Sequence, residues 1–148
     1  MKTELEGRTK EFGIRIVRFI RTFPKSVDGI EVGRQLLKAG TSIGANYREA
    51  NRAESRADFI HKVGIAEKEA AETAYWLEIC EQAPLGDLKE VKPLLKAANE
   101  LLPIFVTIGR KAKNRPRALP DPSIVAAVIT MSLFSLSRFP LFAFHSLL

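Results

Sequence analysis

Between Ser55 and Ala83 the chain reads SRADFIHKVGIAEKEAAETAYWLEICEQA, and this stretch most constrains what the protein can fold into. Phe59, Val63, Ala66, Ala70, Thr73, Leu77 and Cys80 recur at alternating spacings of four and three. Such a seam covers one side of a long helix, and a helix so striped needs partner helices to bury it. After Gly64 neither Gly nor Pro interrupts the run, and Ala, Glu, Lys and Leu fill most of it, all good helix formers.

Three further segments supply partners. In the first helix, expected over residues 4–23, Phe12, Ile16, Phe19 and Phe23 form an apolar stripe. Thr3 and Glu6 read as a capping box, and Pro24 as the stop. Asp28 and Glu31 repeat the capping pattern and open a second helix with the seam Val32, Leu36, Ala39, Ile43, Asn46, Ala50 and Ala53. Gly40 and Gly44 weaken its middle by about 1 kcal/mol each relative to Ala. They also permit close backbone approach, so a bend or a tight crossing is expected there. The third helix opens at Ser55 with Asp58 and ends before Pro84 and Gly86. Asp87 and Glu90 open the fourth, whose seam is Val91, Leu94, Ala98, Leu101, Phe105, Ile108 and Ala112. Pro93 and Pro103 each remove a backbone donor, so that helix is expected to kink or begin late.

Four seams joined by short connections predict an all-α fold, an antiparallel up-down-up-down four-helix bundle over residues 1–115. Residues 116–148 differ in composition. PRALPDP is a linker with three prolines, and the segment from Ser123 to Leu148 is apolar, with Arg138 its one charge. Its uncharged run from Ser123 to Ser137 falls short of the ~20 residues that a bilayer core requires. A poorly ordered tail, or a strip covering an apolar patch, fits it better than membrane attachment. The N-terminal MKTELEGRTKEF has no apolar segment of a secretory signal. Cys80 is alone, which excludes an internal disulfide and suits a reducing cytoplasm.

Catalytic chemistry finds little support. The two histidines, His61 and His145, form no Glu-x-x-His pair of the di-iron bundle kind. Glu69 and Glu72 lie one turn apart but lack a complementary ligand pair, so no metal or other cofactor is expected. GTSIGANYRE lacks the lysine and spacing of a phosphate loop. The chain reads as a non-enzyme.

Asn46 occupies a seam position, where an unpaired amide costs about 1–3 kcal/mol. It needs a partner from Glu69, Glu72 or Ser42, and reads as a register-setting residue rather than a ligand site. Tyr75 and Trp76 sit at the edge of the third seam, as bundle packing or, preferably, as the anchor of a subunit interface. The net charge is +6. Arg15, Arg18 and Arg21 with Arg34, Lys38, Arg48, Arg52 and Arg56 make a candidate phosphate-contacting face on the first two helices. A plain solvated face explains them equally well, since Arg favours helix surfaces anyway.

Gln35-Leu36-Leu37, Thr41-Ser42-Ile43, Asn46 with Glu49, Asp58-Phe59, and Ala66 through Trp76-Leu77 together resemble a bacterial four-helix-bundle family. Its members include proteins encoded by intervening sequences of large-subunit rRNA genes. The resemblance implies a left-handed bundle assembled into a ring-like homopentamer. It also implies similarity to the accessory protein of diversity-generating retroelements, which binds a reverse transcriptase and nucleic acid through basic surfaces. No catalytic residue comes with the family. What it carries over is structural: Asn46, Glu49, Glu69, Glu72 and Trp76. RNA or DNA, other copies of the chain, or a protein partner of a scaffold are the expected interactions.

Overall fold

Four helices form where the seams demand them: α1 (Lys2–Ile20), α2 (Val27–Ala50), α3 (Arg56–Gln82) and α4 (Leu88–Asn114). The structure, a computed structural model, describes residues 2–114. The expected linker and tail at 116–148 lie outside the described residues. Connections of five or six residues make each helix antiparallel to the next. In space α1 packs on α2, α2 on α3, α3 on α4, and α4 back on α1, the last contact being the sparsest. The up-down-up-down bundle is therefore the observed architecture.

The seams are the core. Phe12, Ile16, Phe19, Leu36, Ala39, Ile43, Val63, Ala66, Ala70, Leu77, Cys80, Val91, Leu94, Ala98, Leu101 and Phe105 are buried. Thr73 is buried too, with its hydroxyl donating to the Glu69 carbonyl at 2.6 Å. Tyr47 lies outside the four-three alternation yet is buried, edge-on to Phe105 at 5.6 Å. That contact joins α2 to α4 across the bundle.

Helix ends show where local rules hold and where they yield. Ser55 caps α3, its hydroxyl accepting from the Asp58 amide at 3.1 Å. Asp87 Oδ1 accepts from the Lys89 amide at 3.1 Å at the start of α4. The cap of α2 is Ser26, accepting from the Gly29 amide, so Asp28 sits inside the first turn instead of opening it. Thr3 lies within α1, which begins at Lys2, so the Thr3–Glu6 pair is no cap. α1 ends at Ile20, and two turn hydrogen bonds, Thr22 to Phe19 and Phe23 to Ile20, carry the chain to Pro24. α4 starts at Leu88 despite Pro93 and Pro103, so it does not begin late.

The expected tight crossing is the α1–α2 contact. A Cβ placed on Gly40 would lie 2.9 Å from Ile16 Cγ1, and one on Gly44 3.3 Å from Thr9 Oγ1. Small residues thus bring the two backbones close along this crossing. α2 itself continues through both glycines.

Gly86, at φ +79°, closes the α3–α4 turn against the end of α1. A Cβ there would meet the Phe23 ring at 2.6 Å, and the next amide, Asp87, donates to Thr22 Oγ1 at 2.9 Å. Among the described residues no helix is long and apolar enough to cross a membrane.

Candidate nucleic-acid interface

The eight cations expected on one face do not share one environment. Arg18, Arg21 and Arg48 converge on the α1–α2 groove, a hollow of about 350 Å³. Lys10, which was not among the eight, joins them. It precedes Arg18 by eight residues and Arg21 by eleven, which is the stripe periodicity that would have marked it. Gly13, Ile14, Val17, Thr9, Thr41 and Gly44 complete the lining, so among the described residues no acid borders the groove.

Arg48 has a second task. Its guanidinium donates to the Gly44 carbonyl at 3.4 Å and to the Glu6 carbonyl of α1 at 3.1 Å. Glu6 in turn accepts from Asn51 Nδ2 at 2.8 Å. A structural tie and a groove cation are thus one side chain.

The other five point elsewhere. Arg15 is turned toward α4, 3.9 Å from Glu90. Arg34 is forked onto Glu31 at 2.7 and 3.2 Å, and that contact holds the Glu31 carboxyl below the usual carboxylate range. Arg56 donates to the Ala112 and Lys113 carbonyls, both at 2.9 Å, and so closes the C-terminal end of α4. Lys38 and Arg52 are exposed, and Lys38 acts on Glu69 of α3.

The same bundle recurs among known proteins. Residues 2–106 match the family described as 23S rRNA-intervening sequence protein. The chain belongs to that family. A member of the S23 ribosomal protein family from Bacteroides thetaiotaomicron, a protein of unknown function solved at 1.70 Å, has the same fold. It is 36% identical, with a TM-score of 0.67 over 74% of this chain and 99% of the other. No curated protein matches. The resemblance carried by the residues of α2 and α3 is thus upheld, and the family brings no assigned activity.

The polar residues that the family resemblance singled out lie along the α2–α3 side. Asn46 is half-buried and donates to the Ser42 carbonyl of its own helix at 2.9 Å, not to a carboxylate of α3. Glu49 pairs with Lys62 across the two helices, and the contact raises the Lys62 pKa. Burial raises the pKa of Glu69, the Glu72 charge adds to that, and Lys38 opposes both. Glu72 accepts from Trp76 Nε1 at 3.2 Å. Trp76 is half-buried against the core, and the exposed Tyr75 meets it edge-on at 5.1 Å. Among the described residues no group of three His, Cys, Asp or Glu side chains is arranged to hold a metal ion.

Proposed function

We propose that this family member is a non-enzymatic, homo-oligomeric, cytoplasmic bundle that binds RNA or DNA through the α1–α2 groove. One observation carries the reading: Lys10, Arg18, Arg21 and Arg48 border a single groove without an intervening acid among the described residues. Cations so grouped contact successive phosphates, and binding of this kind is salt-sensitive and nearly indifferent to sequence. Among the described residues the floor offers no aromatic ring for base stacking, which agrees with contacts to backbone alone. The family's description, which names 23S rRNA, leans the same way.

The test is fluorescence anisotropy with a labelled RNA of roughly 20 nucleotides, titrated at several salt concentrations. Arg18→Glu with Arg21→Glu is expected to weaken binding more than tenfold and to flatten the salt slope by about 2. A variant that binds like the wild type, with the same slope, overturns the groove as the site.

Tyr75 and Trp76 favour a second component, a protein contact on α3. The Tyr75 ring is 55% exposed beside a half-buried Trp, the composition of an interface anchor. We assign that edge to assembly of further copies, five by the family resemblance. Light scattering is expected to return about five times the 16.5 kDa chain mass, and Tyr75→Ser to lower it. A wild-type monomer would reject assembly. An unchanged particle with a co-purifying, nuclease-resistant protein would instead favour a scaffold for another partner.

A further inference from the structure

The helices divide their charge unevenly, and α4 is the most basic. α3 carries six acids against three cations, and α2 three of each. α4 carries six cations, Lys89, Lys92, Lys96, Arg110, Lys111 and Lys113, against Glu90 and Glu100. Those two acids are turned onto α1, where Arg15 and Arg8 pair with them at 3.9 and 3.5 Å. All six cations are exposed, and none is in an ion pair among the described residues. With both acids drawn to α1 arginines, six cations leave the outer side of α4 with a net positive field.

The cations fall into two clusters, one in each end of the helix, with Asn99, Pro103, Val106 and the Arg8-paired Glu100 exposed between them. Lys89 and Lys111 are 22 residues apart, about 33 Å at the helical rise. One turn of duplex is about 34 Å. A duplex laid along α4 therefore presents phosphates of one strand at both clusters, with both grooves and the other strand over the middle, where Glu100 is held to Arg8. Lysines, as flexible point charges, suit such backbone contacts without reading sequence. An anionic membrane fits less well, because the stripe has no aromatic or long apolar side chain between its clusters to enter the acyl boundary.

We infer that the outer face of α4 is a second phosphate-contacting surface, and that it takes double-stranded nucleic acid lengthwise. The inference rests on the reading of the bundle as a nucleic-acid binder, but it does not use the α1–α2 groove.

Binding of a mixed-sequence duplex of about 30 base pairs, as DNA and as RNA, tests it through the salt slope. Lys92→Gln with Lys96→Gln and Lys111→Gln changes only exposed side chains, and a wild-type circular dichroism melt would verify folding. The triple variant is expected to bind at least tenfold more weakly at low salt, with a slope shallower by about 3. If its slope is unchanged while Arg18→Glu with Arg21→Glu flattens it, the α4 surface is rejected and the groove stands. If only the lysine variant flattens it, the groove is rejected and α4 stands. Wild-type protein that ignores the duplex, whether or not it binds vesicles of anionic phospholipid, overturns the inference outright.

Discussion

Ile16 occupies the space that a side chain at Gly40 would need. A Cβ on Gly40 would come within 2.9 Å of Ile16 Cγ1 and 3.1 Å of Cγ2, and Ile16 is fully buried and β-branched. Two effects of Gly40→Ala therefore compete. Helix propensity gains about 1 kcal/mol, whereas overpacking a closed contact costs about 1–3 kcal/mol. Overpacking is expected to win, lowering Tm by several degrees, because the stiff Ile16 cannot swing away. Gly64, where an added Cβ would meet nothing within 4 Å, supplies the contrast. Gly64→Ala is expected to raise stability by up to about 1 kcal/mol. A Gly40→Ala protein as stable as Gly64→Ala would dispose of the tight crossing.

Arg48 separates structure from charge in one experiment. Its hydrogen bond to the Glu6 carbonyl ties residues 42 positions apart in sequence. Lysine keeps the positive charge but loses the planar fork that reaches both Glu6 and Gly44. Arg48→Lys is expected to cost about 1–2 kcal/mol in chemical denaturation, and to leave the salt slope of nucleic-acid binding as it was. A slope that drops with this conservative change would mean that Arg48 reads phosphate through its fork.

Cys80 is buried on the seam, and burial pushes its thiol up to about 11. At pH 8 the reactive thiolate is then nearly absent. Ellman's reagent is expected to report no thiol in the native protein and one per chain in guanidinium. Rapid native labelling at pH 8 would place Cys80 outside the core.

The bundle was legible because four seams repeat a geometric signal that tertiary context does not override. Every seam residue of α3 from Val63 to Cys80 is buried as its spacing requires. Tyr47 escaped because it reaches Phe105 from beside the stripe, a contact set by bundle geometry rather than by periodicity. Helix starts were legible only where the capping residue competed with no better neighbour: Ser55 and Asp87 serve, while Ser26 displaces Asp28. The cations were hardest to read. Periodicity gives a residue's direction from its own helix axis, but it says nothing of what the adjacent helix offers. Arg15 therefore turned out to face Glu90, and Arg56 the last carbonyls of α4. The α4 lysines, in no ion pair among the described residues, stand out only because Glu90 and Glu100 face α1.

Glu69 links the α2–α3 side to pH. Burial raises its pKa first, the Glu72 charge adds to the shift, and Lys38 works against them. A carboxyl whose folded pKa lies above its ordinary value of 4.5 holds its proton more tightly in the folded state. Stability from this group therefore falls as pH rises from about 4.5 through the folded pKa, the reverse of a salt-bridged carboxylate. Glu69→Gln imitates the protonated form at every pH. Its Tm is expected to match that of the wild type at pH 4, where both side chains are neutral, and to exceed it at pH 7. The difference between the two proteins reports Glu69 together with its repulsion from Glu72. A Tm difference that stays flat would remove the burial effect. A variant less stable at pH 7 would mean that the attraction of Lys38 outweighs both burial and Glu72.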